Sequence, residues 1–174
     1  MNIEELANTP DNNNHEKENA KKSKITEKDS VISSIENDEH DDEDDGRLKI
    51  LAVDDTAFFL RQLQSYFNDT PYALVCVNSG KQALRYLNEN RMPDLFLLDI
   101  DMPEMNGYEL AKHIQDRGLD KPIIFLTSHK NRAAVMKAIE AGGVDFIVKP
   151  CRKEDVVARV NKHLFPDAEQ GGEA

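Results

Sequence analysis

The amino-acid sequence predicts an α/β domain in which a five-stranded parallel sheet is covered by helices on both faces. Two observations support this fold class. Five short apolar runs recur after residue 46, and segments with helical periodicity separate them. The runs are continuously apolar rather than alternating, which is typical of parallel strands that are buried on both faces. Strands that alternate with helices indicate repeated βα units and a three-layer domain.

The predicted strands are short and rich in β-branched or large apolar residues, which favour strand structure. Turn-forming or polar residues bound each run, so the strand ends are well marked. In chain order the predicted strands cover residues 50–53, 73–77, 95–98, 123–126 and 146–148.

A helix is predicted after each strand, because apolar side chains recur there at spacings of three and four residues. Ser79 and Asn106 precede two of these helices and are good N-terminal capping residues. Gly142 and Gly143 mark the end of the fourth helix. The apolar positions are Leu60, Leu63 and Phe67; Ala83, Leu84 and Leu87; Leu110, Ala111 and Ile114; Val135, Ala138 and Ile139; and Val156, Val157, Val160 and Leu164.

The formal net charge of −11 lies almost entirely in the first 46 residues. They contain 15 of the 33 acidic residues and 5 of the 22 basic ones, a net of −10, and no aromatic residue. Such a segment cannot bury enough apolar surface to offset the entropy of ordering. We therefore predict a disordered acidic segment at residues 1–46, a folded domain at 47–165 and a short polar tail at 166–174. A small apolar cluster in the segment is compatible with a transient helix or with docking on a partner; it comprises Ile25, Val31, Ile32 and Ile35.

Several classes of protein are disfavoured by composition. The folded part has 18 acidic and 17 basic residues, so it offers no surplus of positive charge for nucleic acid. No run approaches the 18 apolar residues of a membrane-spanning helix, and residues 1–14 do not resemble a secretory signal. Cys76 and Cys151 are far apart in sequence and form no CxxC pair. We expect two buried free thiols in a cytoplasmic protein.

Polar side chains follow four of the five predicted strands. Asp54 and Asp55 follow the first, Asp99 the third, Thr127 the fourth and Lys149 the fifth. Parallel strands end at one edge of the sheet, so these side chains should converge there. Two carboxylates ~4 Å apart repel by ~4 kcal/mol at an effective dielectric near 20, so one is protonated or a cation compensates. Oxygen ligands suit Mg²⁺ or Mn²⁺, and a cation, a lysine and a hydroxyl around a carboxylate suit a phosphoryl group.

Four sequence blocks carry a resemblance to a known family. They are ILAVDD, PDLFLLDIDMPEMNGYEL, PIIFLTS and AGGVDFIVKP. In order and spacing they resemble the signature blocks of the receiver domain of two-component response regulators. The resemblance covers about residues 48–164. It implies a flavodoxin-like, doubly wound sheet with strand order 2-1-3-4-5 and flanking helices, as in a chemotaxis receiver.

The resemblance also implies a role for each site residue. Asp99 aligns with the phosphoacceptor, Thr127 with the switch hydroxyl and Lys149 with the lysine that contacts the phosphate. Phe146 aligns with an aromatic residue that turns inward on activation, and the bond between Lys149 and Pro150 is cis in the family. The implied Mg²⁺ or Mn²⁺ ligands are Asp54, Asp55, Asp99 and the backbone carbonyl of Asp101.

The implied function is transfer of a phosphoryl group from the phosphohistidine of a sensor histidine kinase, or of a histidine phosphotransfer protein, to Asp99. A downstream protein would then bind the face formed by the fourth helix, fifth strand and fifth helix. We expect a stand-alone cytoplasmic receiver without a DNA-binding output domain, which catalyses only its own phosphoryl transfer and loss. We expect a monomer. A homodimer is the alternative, because four charges on that face weakly resemble the dimer-forming charges of transcriptional regulators; they are Lys137, Glu140, Asp145 and Arg159.

Asp101 and His129 lie two residues after Asp99 and Thr127, beside the expected path of attacking water. We hypothesise that Asp101 changes metal affinity and phosphoryl lifetime, in a direction that the sequence does not set. The alternative is that both side chains point into solvent.

Two other classes of protein are alternatives to a receiver. Asp99, Ile100 and Asp101 form a DxD motif that resembles the nucleophile motif of haloacid dehalogenase-type phosphatases. In those enzymes the DxD motif comes first in the chain, whereas here an acidic pair precedes it. A flavodoxin-like binding module is the second alternative, but two carboxylates replace the phosphate-binding loop after the first strand, and GxxxxGK[ST] is absent.

Overall fold

A computed structural model of the protein describes residues 46–166. Strands and helices alternate throughout this range. The strands are β1 Leu48–Val53, β2 Tyr72–Val77, β3 Leu95–Asp99, β4 Ile123–Thr127 and β5 Asp145–Val148, and the helices are α1 Ala57–Phe67, α2 Gly80–Glu89, α3 Gly107–Asp116, α4 Arg132–Glu140 and α5 Lys153–Leu164. The acidic segment predicted at 1–46 and the polar tail predicted at 166–174 lie outside the described residues, apart from Gly46 and Pro166.

The five strands form one parallel sheet in the order β2-β1-β3-β4-β5. This confirms the predicted fold class and the strand order that the family resemblance implies. The strands exceed the predicted runs by one or two residues at some ends. In particular, β3 includes Asp99 and β4 includes Thr127, because backbone pairing continues through these polar residues.

The core lies in two layers, one on each face of the sheet. Alternate residues of β1 point to opposite faces, so Ile50 and Ala52 join one layer and Leu51 and Val53 the other. Helices α1 and α5 cover the first layer, while α2, α3 and α4 cover the second. Central strands β3 and β4 are buried along their whole length. This double burial explains why the apolar runs in the sequence are continuous.

The helix ends follow the capping signals in the sequence. The Ser79 side chain accepts from the backbone N–H of Gln82 at the start of α2. Asn106 and Glu109 form a reciprocal capping box at the start of α3. Helix α4 ends at Glu140, and Gly142 follows it with φ = 77°, a conformation that favours glycine. These confirmed caps mark the starts of α2 and α3 and the end of α4.

The two cysteines lie in the core, as the sequence predicts. Cys76 and Cys151 are both buried and free. Their pKa values are raised, chiefly by burial, and that of Cys76 reaches about 12. Both therefore remain neutral thiols near neutral pH. Across residues 46–166, every helix is too short or too polar to traverse a lipid bilayer.

A polar cluster joins the start of β5 to α5. The Asp145 carboxylate accepts from the backbone N–H of Phe146 at 2.8 Å and contacts His163 Nε2 at 3.1 Å. It also forms an ion pair with Arg159. Burial would raise the pKa of Asp145, but its bonds to His163, to the Phe146 backbone and to Arg159 together hold the pKa below its ordinary value. The ionised carboxylate therefore stabilises the fold.

We expect Asp145→Asn to lower the free energy of unfolding by about 1 kcal/mol at neutral pH, since Arg159 is partly exposed and solvent screens the pair. Because the pKa is lowered by folding, the stabilisation is present above the unfolded pKa of about 4 and disappears as the pH falls through the folded value. Urea unfolding at several pH values measures this effect. The exposed Asp116, paired with Lys112 on α3, provides the control Asp116→Asn; equal losses in both variants would contradict the assignment.

Candidate functional site

Polar side chains follow the strands at the carboxyl edge of the sheet, where the sequence places them. Asp54 directly follows β1, Asp99 and Thr127 end β3 and β4, and Lys149 directly follows β5. Asp54, Asp99 and Thr127 are 0%, 4% and 2% exposed, and they are the buried polar residues within the described range 46–166. Buried polar groups are costly unless they are paired. Their partners therefore determine what this edge of the sheet can do.

Lys149 connects two of the buried carboxylates. Its Nζ donates to Asp99 Oδ1 at 2.7 Å and also to Asp54 Oδ2. The second oxygen of Asp54, Oδ1, accepts from the backbone N–H of Thr56 at 2.9 Å. One ammonium thus faces two carboxylates, which leaves a net negative charge in a largely buried place. Removing the lysine would leave both carboxylates without this compensation.

The pKa values report the same excess of negative charge. Burial raises the pKa of Asp99 above its ordinary value, and the carboxylates of Asp54 and Asp101 act in the same direction against the bond from Lys149. Burial alone would lower the pKa of Lys149, but its bonds to Asp54 and Asp99 raise the value. The ammonium therefore stays charged, and the site has capacity for a further positive charge.

Three carboxylates fit a divalent cation. Asp54, Asp55 and Asp99 each offer one oxygen, and these atoms lie within 4.8 Å of one another. Hard oxygen ligands of this kind suit Mg²⁺ or Mn²⁺. Asp55 is exposed while the other two are buried, so one side of the cluster faces solvent. The metal role expected for the backbone carbonyl of Asp101 stays a prediction.

The start of α3 packs tightly against the backbone that carries Asp99. A Cβ on Gly107 would lie 2.3 Å from the carbonyl oxygen of Asp99 and 3.1 Å from Cα of Ile100. The Gly107 N–H donates to the carbonyl of Ile100 at 3.1 Å. Only a residue without a side chain permits this approach. The tight packing holds the Asp99 carboxylate on rigid backbone rather than on a free loop.

Thr127, Asp101 and His129 are linked by further contacts beside the carboxylates. The Thr127 hydroxyl oxygen accepts from the backbone N–H of His129 at 2.9 Å. His129 Nε2 lies 3.3 Å from Asp101 Oδ2, and both side chains are about half exposed. This partly exposed side-chain pair joins the loops after β3 and β4.

Phe146, the residue aligned with the inward-turning aromatic, is half-buried in β5. It packs against the apolar layer beneath α2, α3 and α4. Its role as a switch stays a prediction. On the same face, Asp145 and Arg159 pair with each other within the chain, while Lys137 and Glu140 are exposed on α4.

Sequence reasoning missed two contacts that α1 makes with the loop after β5. The Nζ of Lys149 lies 4.3 Å from the centre of the Phe59 ring. The Tyr66 hydroxyl donates to the carbonyl oxygen of Cys151 at 2.9 Å. The helical periodicity places Phe59 next to buried Leu60, but the pattern carries no signal that its ring faces a charge 90 residues further along.

Comparison with known proteins identifies the family to which the chain belongs. A family model described as the response regulator receiver domain matches residues 50–161. The chain belongs to this family. The matched range contains all the polar residues described above at this edge of the sheet, from Asp54 to Lys149.

Two relatives are longer than the region that they share with this chain. The receiver domain is 36% identical over 110 residues to the two-component response regulator ARR10 of Arabidopsis thaliana, covering 63% of this chain and 20% of that protein. It is 34% identical over 115 residues to the response regulator SaeR of Staphylococcus aureus, covering 66% of this chain and 50% of that protein. The chain thus spans half or less of the length of these relatives.

Solved receiver structures share the fold. The chemotaxis protein CheY4 of Vibrio cholerae is 25% identical with a TM-score of 0.64, covering 68% of this chain and 99% of that one. The receiver domain of DrrB, in a structure described as BeF3-activated, is 27% identical with a TM-score of 0.61, covering 68% of this chain and 97% of that one.

Proposed function

We propose that this receiver domain accepts a phosphoryl group on Asp99 from the phosphohistidine of a histidine kinase or histidine phosphotransfer protein. The observation that carries the proposal is the buried Asp99 carboxylate, which pairs with Lys149 at 2.7 Å inside a cluster of three carboxylates. A carboxylate in such a place can attack phosphorus, while fixed positive charge receives the phosphoryl oxygens.

Each residue of the site has a task in the proposed transfer. A carboxylate oxygen of Asp99 forms the new P–O bond as the P–N bond of the donor breaks, and the imidazole leaves with the electron pair and takes up a proton. The Lys149 ammonium and the Thr127 hydroxyl bind phosphoryl oxygens. A divalent cation held by Asp54, Asp55 and Asp99 supplies positive charge that offsets the carboxylates and the phosphoryl group together. The result is an acyl phosphate, so the domain is a phosphoryl acceptor rather than an enzyme that turns over an external substrate.

The direct test is incubation with acetyl phosphate and Mg²⁺, followed by intact-mass measurement. We expect one added phosphoryl group per chain, and chelation of Mg²⁺ should slow uptake at least about 100-fold, since a metal contributes several kcal/mol. Asp55→Asn removes an exposed ligand without opening the core, so it should raise the Mg²⁺ concentration needed for half-maximal uptake. A rate of phosphoryl uptake that is unchanged by chelation of Mg²⁺ would contradict the metal assignment.

The output is proposed to be a protein contact on the face formed by α4, β5 and α5. Entry of Phe146 beneath α4 after Thr127 binds the phosphoryl group would alter this face, and a partner that prefers one form would read it. Action as a stand-alone cytoplasmic monomer also stays a prediction, because ARR10 and SaeR are longer than the matched region.

The pair of Asp101 and His129 is proposed to limit the access of water to the acyl phosphate. The pair joins the loops after β3 and β4, two residues beyond Asp99 and Thr127. Asp101→Asn weakens this contact. We expect the phosphoryl lifetime to shorten by at most about fivefold, because an exposed polar contact contributes up to about 1 kcal/mol. Loss of phosphoryl group from the purified phosphoprotein measures this. A dephosphorylation rate equal to that of the wild type would remove the hypothesis.

A further inference from the structure

The ammonium of Lys149 lies over an aromatic ring that the proposed transfer does not use. The Nζ is 4.3 Å from the centre of the Phe59 ring. Phe59 is 7% exposed and belongs to the apolar layer between the sheet, α1 and α5. A cation within about 6 Å of a ring centre is attracted by the negative ring face, and more strongly where water is excluded. The ring of Phe59 therefore exerts an electrostatic attraction on Lys149 as well as packing against it.

The contacts of the ammonium differ in how they respond to a divalent cation. Asp54 and Asp99 hold Lys149 through their negative charge. A cation bound by the same carboxylates shares that charge and also repels the ammonium. The attraction from the Phe59 ring does not depend on the carboxylates. It therefore persists when the carboxylates bind metal.

Helix α1 also restrains the backbone of the loop that carries Lys149. The Tyr66 hydroxyl, which accepts from Gln62 Nε2 at 2.7 Å, donates to the carbonyl of Cys151 two residues after Lys149. One helix thus contacts both the charged tip of the lysine and the backbone beside it. Two such contacts restrict where the ammonium can move.

We propose that Phe59 is a positioning residue whose ring keeps the Lys149 ammonium beside Asp99 after metal binding has weakened its carboxylate contacts. This inference rests on the proposed function, because the positioned ammonium serves the incoming phosphoryl group. Phe59 touches no reacting atom and acts through Lys149.

The first experiment measures the contact without any phosphoryl transfer. A ring face shifts the NMR resonances of protons above it upfield, so the ε-methylene protons of Lys149 should be upfield of those of exposed lysines. We expect the shift to remain when Mg²⁺ alone is added, and to disappear in Phe59→Leu. Lys149→Met assigns the signal. Ordinary ε-methylene shifts in the Mg²⁺-loaded wild type would overturn the proposal.

The second experiment compares two buried rings on the same helix. Phe67 also lies on α1 in the same apolar layer, is 3% exposed, and packs its ring against Tyr72 rather than against Lys149. Phe59→Leu and Phe67→Leu should lose similar amounts of thermal stability. Only Phe59→Leu should slow uptake from acetyl phosphate at saturating Mg²⁺, on the order of tenfold. Equal rates in the two variants would overturn the proposal.

Fluorinated phenylalanines at position 59 separate charge from packing. Fluorine withdraws electron density from the ring face with little change of size, so uptake should slow with each added fluorine. Rates that are constant across the series would overturn the proposal. If the wild type itself takes up no phosphoryl group, the proposed function fails. The NMR measurement then still decides whether the ring holds the ammonium.

Discussion

We expect Asp99→Asn to take up phosphoryl from acetyl phosphate at least about 10³-fold more slowly than the wild-type chain. The carboxamide has the shape of the carboxylate but lacks its negative charge, so it is a poor nucleophile and a poor metal ligand. Asp54 is fully buried and bonded to Lys149 and to the backbone of Thr56. Both of its oxygens already accept a hydrogen bond, so it is poorly placed to replace Asp99. Intact-mass measurement against time gives the rate.

Two controls separate loss of the acceptor from loss of the fold. In metal-free buffer, Asp99→Asn should melt no lower than the wild type at neutral pH. The reason is that the pKa of Asp99 is raised, so its ionised form is a cost to the folded state that increases as the pH rises. Asp116→Asn, an exposed change on α3, should leave uptake unchanged. An Asp99→Asn variant that is phosphorylated at the wild-type rate would show that the acceptor lies elsewhere.

The second large effect is expected for Gly107→Ala, which should lower the free energy of unfolding by about 3 kcal/mol and the melting temperature by about 10 °C. The added Cβ would lie 2.3 Å from the carbonyl oxygen of Asp99 and 3.0 Å from its carbonyl carbon. Both are backbone atoms inside the packed sheet edge, so they cannot turn aside as a side chain can. Because the clash would displace the end of β3, which carries Asp99, phosphoryl uptake should also be slower.

Gly80→Ala is the matched control for this change. Gly80 and Gly107 are each the first residue of a helix and both are buried. A Cβ on Gly80 would meet the Met105 sulfur at 2.6 Å, which is the mobile end of a flexible side chain. We expect a loss below about 1 kcal/mol there. Similar losses for the two variants, measured by urea unfolding, would show that backbone contact at Gly107 is not the cause.

The sequence alone predicts most of the fold and the residue types of the site. Buried parallel strands leave continuous apolar runs, and capping needs particular side chains at helix ends, so both are visible locally. The meeting of Asp54, Asp99, Thr127 and Lys149 is predictable because parallel topology places strand ends at one edge. That argument needs only the order of elements along the chain.

Some contacts depend on the relative position of two secondary-structure elements, and these have no local signal in the sequence. The cation over Phe59, the pairing of Asp145 with Arg159, and the approach of Gly107 to Asp99 all depend on how a helix lies against a strand or loop. Periodicity specifies which face of a helix is buried, but not which distant atom each side chain meets. Strand ends have a different cause: backbone pairing continues through polar residues such as Asp99 and Thr127, which the apolar runs exclude.

The exposure of Asp55 has a consequence for how fast the metal site responds. Asp54 and Asp99 are buried, but the third carboxylate of the cluster is open to water. A hydrated cation would therefore reach the cluster from the side of Asp55 without any opening of the fold. Exchange should then be limited by dehydration of the ion rather than by motion of the protein. Occupancy would follow the free Mg²⁺ of the surrounding solution with little delay.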